Sequence, residues 1–271
     1  DAMLKLGWGP YQNDNEDANG QFEMNFEYDD ALMTADKHSF FKFMVKSIAE
    51  KHGLRATFMP KPFSNLTGNG CHAHISVWDL AGKRNIFADK KSDIGLAEKG
   101  LNFLGGIMAH AKSMVAITNP TINSYKRINA PVTISGATWA PNTITWSGNN
   151  RTHMVRIPGP GRFELRLPDG ASNPYLLQSV IIAAGIIGVD IKADPGRRYD
   201  NDIYTDRTKD SEVERLPENL LDALREFDKD EELKNMLGSE FSNAFIKLKN
   251  QEWRKFFSHL TTWEKDNTLD I

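Results

Sequence analysis

Between Gly159 and Gly170 the chain reads GPGRFELRLPDG. Side chains two apart on an extended segment share a face, so Arg162, Glu164 and Arg166 fall on one side of a short strand. A carboxylate between two guanidinium groups suits a site that holds a metal and anionic oxygens together; taken alone, the pattern equally fits a surface strand with a cross-charged face. Asn149–Arg156, NNRTHMVR, adds Arg151 and Arg156. Asn119–Arg127, NPTINSYKR, adds Arg127, whose fork geometry suits a carboxylate, although a surface arginine is the plainer alternative. Five arginines across forty residues of a near-neutral protein point to a polyanionic ligand. Phosphoryl transfer needs this arrangement, because metals and guanidinium groups neutralise the charge and the protein supplies little covalent chemistry.

Two further groups carry possible ligands. In NEDANGQFE, Glu16 and Glu23 flank a glycine turn and can point at one cation; hard divalent ions such as Mg²⁺ prefer oxygen ligands, whereas an acidic surface loop is the common alternative. In Gly68–Ser76, GNGCHAHIS, His72 and His74 share a strand face as metal ligands, phosphate contacts or a hydrogen-bonded structural pair. Gly68 and Gly70 let backbone N–H groups approach a ligand closely.

These groups need a scaffold. Gly20–Tyr28 alternates Phe22, Met24, Phe26 and Tyr28 against polar residues, which predicts a half-buried strand. Asp36–His52 predicts a helix capped by Asp36, with a stripe of Phe40, Phe41, Met44, Val45 and Ile48 and a stop at Gly53. Arg55–Phe58, His72–Trp78, Thr152–Ile157 and Phe163–Leu167 read as strands, with Pro131–Trp146 irregular. Ile94–Ile117 reads as one helix ended by Asn119–Pro120, and Asn173–Asp190 as a buried helix. Asp200–Glu214 is charged, and from Pro217 a helical tail carries two stripes, Leu220, Leu224 and Phe227, then Phe241, Phe245, Leu248, Trp253 and Phe256. Strands and helices mix without strict alternation, so the fold class is α+β. The predicted organisation is a core over residues 1–194 and a helical C-terminal region of the same domain over 195–271.

Composition excludes several classes. With 40% apolar and 25% charged residues among 271, the chain is an ordinary globular protein. A net charge of -3 predicts neither a nucleic-acid nor a membrane-surface partner. No apolar run is long enough to span a bilayer, and no secretory signal is present. Cys71 is the single cysteine, which excludes an internal disulfide and fits a reducing, cytoplasmic location. The opening DAMLKLGWGP reads as a strand and turn from something larger, so a fragment is expected.

GQFE, ATFMPKP (Ala56–Pro62), GNGCHAHIS, NPTINSYKR, NRTHMVRIP and RFELRLPDGASNPYL occur in order from about Glu16 to Val189. Together they resemble the C-terminal catalytic domain of the glutamine synthetase family, with a looser match after Asp194. The resemblance implies a curved, mostly antiparallel sheet flanked by helices and an ATP-dependent ligase. ATP phosphorylates the glutamate side-chain carboxylate, and an amine displaces phosphate from γ-glutamyl phosphate. It implies at least two Mg²⁺ or Mn²⁺ ions per complete site, held by Glu16 and Glu23 and by His72 and Glu164. By the same resemblance Arg127 and Arg166 clamp the glutamate, with His72 beside it and the Gly68 backbone at its amino-acid end. Arg151 stabilises the transferred phosphoryl group with Arg156 beside it, and His74, Ser76, Arg151 and Arg162 contact ATP.

Departures from the family pattern carry their own expectations. Further acidic ligands come from an earlier strand in the family, and an N-terminal domain completes the site from the neighbouring subunit of a homo-oligomer. The chain alone is therefore expected to be inactive. Alignment of Ala140–Arg151 places Trp139 where a loop glutamate usually attracts ammonium; an apolar or cation–π wall there suits an alkylamine such as methylamine, as in glutamate–methylamine ligases. A shifted alignment lets another acid serve instead. Asn15 and Thr67 replace a His and an Asn at the pocket edge, and Tyr204 reads as an ordinary surface tyrosine. A non-catalytic homologue is disfavoured, because clustered like charges cost stability without a ligand.

Overall fold

A computed structural model describes residues 1–131, 133–204 and 213–270. Its central element is the helix α6, Pro174–Asp190. Asn173 accepts hydrogen bonds from the Tyr175 and Leu176 backbone N–H groups, and Pro174 at the first turn needs no donor, so the start was legible in the sequence. α6 packs on α3, Glu98–Ala109, with their backbones nearly touching. A β-carbon added at Gly106 would lie 2.0 Å from the Ala184 carbonyl oxygen, and one at Gly188 2.3 Å from that of Asn102.

On the other side of this helical layer lies a four-stranded sheet. Its order is β3 (Ala73–Ile75), β6 (Arg162–Leu165), β5 (Val155–Gly159) and β4 (Trp146–Ser147). All pairs are antiparallel except β4–β5. Phe163, Leu165 and Val155 face the core against Phe87, Phe103 and Leu104. Burying each such side chain contributes about 1.5–3 kcal/mol. A separate antiparallel ribbon joins β1 (Pro10–Asn15) to β2 (Phe22–Phe26). The architecture is α+β, as expected.

Several local expectations are corrected. The first residues form a short helix, α1 (Ala2–Lys5), before β1. Two apolar side chains of β2 face outward, Phe22 at 63% and Met24 at 44% exposure, while Glu23 and Asn25 are half-buried and Phe26 packs on Trp8 and Phe41. The helix α2 spans Ala31–Lys51 and is capped by Asp30, not Asp36; the Asp36 carboxylate instead accepts from the Tyr175 hydroxyl at 2.6 Å. Arg55–Phe58 is not a strand, and β3 is shorter than His72–Trp78. The helix expected over Ile94–Ile117 is two, α3 and α4 (Ala111–Thr118), broken at His110, whose ring bonds Asp230 at 2.7 Å.

The tail forms α7 (Leu220–Lys229), α8 (Glu231–Leu237), α9 (Ser239–Phe257) and α10 (Thr262–Thr268). Leu220, Leu224 and Phe227 join the main core; of the second stripe only Phe245 is buried, and Leu248 is exposed. Much of the charged stretch Asp200–Glu214 lies outside the described residues. No helix among the described residues is long and apolar enough to cross a membrane.

Candidate active site

β6 places Glu164 opposite His74 on β3 and opposite Arg156 on β5. The carboxylate is 2% exposed and shared. Oε1 accepts from Arg166 Nη1 at 2.5 Å, Oε2 from Arg156 Nη1 at 2.9 Å, and His72 Nδ1 stands 3.4 Å from Oε1. Buried charges persist when paired and hydrogen-bonded in this way. The Arg156 guanidinium is fixed from its other edge by Asn149 Oδ1 at 2.8 Å. Arg162, at the start of β6, donates to His74 Nδ1 at 3.0 Å.

Both histidines are held neutral. Burial first, then the Arg166 and Arg127 guanidinium groups, hold His72 well below the ordinary histidine range. Burial also lowers His74, with Arg162 adding to the effect and Glu164 opposing it. A neutral imidazole is the ligating form, and His72 Nε2 is buried without a hydrogen-bond partner among the described residues.

Arg127, on α5 (Ile122–Ile128), is 2% exposed and spends two donors on main chain, Nη1 to the Leu167 carbonyl at 2.8 Å and Nη2 to the Arg166 carbonyl at 3.2 Å. It therefore braces the backbone that carries Arg166. Gly68 and Gly70 are glycines for the protein's own packing. A β-carbon at Gly68 would lie 2.4 Å from the Pro60 carbonyl oxygen, and one at Gly70 2.6 Å from His72 Nε2.

The β1–β2 ribbon brings the acids in. Gln21 donates to the Gly68 carbonyl at 3.1 Å and to Asn69 Oδ1 at 2.7 Å, tying the turn to the glycine loop. Burial, then the neighbouring Glu23 carboxylate, raises Glu16 above the usual carboxylate range, and the field of Arg166 acts in the opposite direction. Glu16 is thus within electrostatic reach of both Glu23 and the arginine strand. Arg151 is exposed on a cavity of 690 Å³ that it shares with Arg156, Trp139, Arg198 and Asp200, and it has no partner among the described residues. Ser76 accepts from Trp78 Nε1 at 3.0 Å, and Trp78 stacks on Tyr28 at 6.4 Å. Among the described residues, His72, His74, Arg156, Arg162 and Arg166 gather around Glu164, Glu16 and Glu23 lie on the ribbon, Arg151 shares only the cavity with Arg156, and Ser76 lies apart.

Sequence reasoning passed over Asp17. Its carboxylate accepts from Ser135 at 2.6 Å and from Thr67, and Trp139 also bonds it. Burial acts to raise this carboxyl, and the three hydrogen bonds outweigh it and hold it below the ordinary range. Its place between Glu16 and the glycine turn was the available signal. Tyr204 is not an ordinary surface tyrosine: its hydroxyl is buried and its ring packs on Trp139.

Among the described residues no three His, Cys, Asp or Glu side chains converge as a metal cluster. The donors come in two pairs, Glu16 with Glu23 and His72 with Glu164. Both fit a divalent cation in chemistry: carboxylate oxygens that repel one another, and a buried neutral imidazole with an unpartnered nitrogen.

The family described as glutamine synthetase, catalytic domain, matches residues 1–268. A glutamine synthetase of Rhizobium meliloti (strain 1021) is 72% identical over 271 residues, covering 100% of this chain and 62% of the relative. A glutamate–methylamine ligase of Methyloversatilis universalis is 42% identical over 276 residues, covering 100% of this chain and 62% of the relative. A solved structure titled "GmaS/ADP complex-Conformation 1" superposes with a TM-score of 0.93 at 61% identity, over 99% of this chain and 62% of that one. The chain thus spans about 62% of the length of these relatives.

Proposed function

The chain belongs to the glutamine synthetase catalytic-domain family, and from that premise we propose that it is the catalytic part of a longer ATP-dependent glutamate–ammonia ligase. One observation supports the reading above others: Glu164 joined to Arg156 and Arg166 with neutral His72 at its side. That arrangement assembles cation donors and guanidinium groups around one point, as phosphoryl transfer to a carboxylate requires.

In this reading a glutamate side-chain oxygen attacks the γ-phosphorus of ATP and ADP leaves. The amine nitrogen then attacks the carbonyl carbon of γ-glutamyl phosphate, inorganic phosphate departs, and the surplus amine proton passes to solvent. Glu16 with Glu23, and His72 with Glu164, would hold Mg²⁺ or Mn²⁺, which when bound neutralise phosphate charge and polarise the reacting oxygens. Arg166, braced by Arg127, binds the glutamate carboxylate, and the Gly68 backbone lies at its amino-acid end. Arg151 and Arg156 face the transferred phosphoryl group across their cavity. His74, Ser76 and Arg162 approach the nucleotide. The protein acts in the cytoplasm as a homo-oligomer whose neighbouring subunits complete each site.

A second reading, glutamate–methylamine ligase, is favoured by Trp139 on the cavity wall and by the 42% identity to the glutamate–methylamine ligase of Methyloversatilis universalis. The test is ADP release by a protein carrying this chain at the length of its relatives, with glutamate, Mg²⁺-ATP and either ammonium or methylammonium. Glutamate-dependent ADP release with one amine is expected. Its absence with both refutes the ligase, and a clearly higher kcat/KM for methylammonium selects the second reading.

A further inference from the structure

Asp169 lies just beyond β6 and is 0% exposed. A buried carboxylate persists only where it is paired and hydrogen-bonded. Oδ2 accepts from Asn119 Nδ2 at 3.0 Å and Oδ1 from the Ala171 backbone N–H at 2.9 Å, and the Ser124 hydroxyl also bonds the carboxylate. Burial raises the Asp169 carboxyl above its ordinary range, and the Arg127 guanidinium is the largest influence in the other direction. Reciprocally, burial lowers Arg127, and Asp169 is the largest influence opposing that. The two groups also share a tie. The Leu167 carbonyl accepts from Arg127 Nη1 at 2.8 Å and from Asn119 Nδ2 at 3.0 Å, so one asparagine joins the carboxylate to the carbonyl that the guanidinium holds. The backbone here is stitched to the glycine loop as well. Gly70 and Asp169 form an antiparallel bridge, the Cys71 N–H donates to the Pro168 carbonyl at 2.9 Å, and the Gly170 N–H donates to that of Asn69 at 3.3 Å. The segment from Leu167 to Gly170 therefore links Arg166 to the loop that carries Gly68. None of these partners is among the residues assigned to the nucleotide.

We propose that Asp169 is a positioning residue for glutamate: as the buried counter-charge of Arg127 it keeps that guanidinium turned onto the Leu167 and Arg166 carbonyls, and so sets the distance between Arg166 and the glycine loop. The inference rests on the ligase reading above and adds to it the residue that holds the two ends of the glutamate site in register. Asp169 touches no substrate; it acts through Arg127. With a neutral side chain in its place the guanidinium keeps its carbonyl acceptors and loses its compensating charge, which frees it to turn toward any other anion in reach.

Asp169→Asn keeps the shape of the side chain and removes its charge. The test reads ADP release in the protein at the length of its relatives, with whichever of ammonium and methylammonium supports it. KM for glutamate is expected to rise about tenfold, the order of one contact to a charged group, while KM for ATP stays within about twofold. A general loosening of the fold moves both KM values and kcat together. In the double variant of Arg127→Met with Asp169→Asn, the rise in glutamate KM is expected to be no greater than in Arg127→Met alone, because one residue acts through the other. An unmoved glutamate KM in Asp169→Asn, equal rises in both KM values, or two substitutions whose effects multiply overturn the positioning role and leave the ligase reading standing. No glutamate-dependent ADP release from the unaltered protein with either amine overturns the ligase reading, and the positioning role with it. Where Asp169→Asn does not fold, Asn119→Ser decides, since it cuts the tie between the carboxylate and the Leu167 carbonyl. A rise in glutamate KM alone supports the proposal, and an unmoved glutamate KM or a rise in both overturns it.

Discussion

Glu164 shows how one buried carboxylate can brace two arginines. Its two oxygens tie Arg156 and Arg166 together across adjacent strands inside the protein. Glu164→Gln leaves two guanidinium groups short of a counter-charge and is expected to cost about 3 kcal/mol of stability, read by urea unfolding; a loss below about 1 kcal/mol argues against the buried-pair account. His38 makes a second prediction. Burial, with Lys42 beside it, lowers its pKa from the ordinary 6.5 to about 4. The unfolded chain therefore binds the proton first, so stability is full above about 6.5 and is lost as pH falls toward 4. Melting between pH 7 and pH 5 is expected to show a loss of about 2 kcal/mol that His38→Gln removes; an unchanged pH dependence in the variant rejects it. The arginine cluster was legible at this scale because a two-residue spacing puts side chains on one face. The inward turn of Arg127 was not, since carbonyls forty residues on are invisible to local pattern.

At the scale of elements, packing decided what pattern left open. α6 was readable to within a residue because Asn173 and Pro174 are unambiguous start signals. α2 starts early because Asp30 and Asp36 are equally good caps, and Asp36 is taken by Tyr175. The break at His110 carries no Gly or Pro; it is set by Asp230, 120 residues away. β2 alternates as a half-buried strand should, yet of its apolar face only Phe26 is covered, by Trp8 and Phe41, while Phe22 and Met24 stay exposed. The α3–α6 crossing yields a prediction of its own. Gly106→Ala drives a methyl group into the Ala184 carbonyl, a backbone atom that cannot swing aside, and is expected to cost about 3 kcal/mol in thermal or urea unfolding. Gly148→Ala is the control, because the added methyl meets nothing closer than Arg198 Nη2 at 3.6 Å. Equal losses in the two variants refute the crossing as the cause.

For the whole molecule, the donors that fit metals stop at two pairs among the described residues, and Phe22 and Met24 stand uncovered on the ribbon carrying Glu23. Residues 1–271 alone are therefore expected to form no glutamine from glutamate, ATP and ammonium, measured directly by product analysis; measurable turnover by this chain contradicts a site shared with further protein. The Asp17 carboxylate has one more consequence. It gathers Thr67, 50 positions along the chain, and Ser135, 118 positions along. Synthesis runs from the N-terminus, so residue 17 leaves the ribosome long before residue 135 is made. The loop around Ser135 can take its final shape only once half the chain has emerged, and until then the acids of the ribbon must wait in water, open to any stray cation.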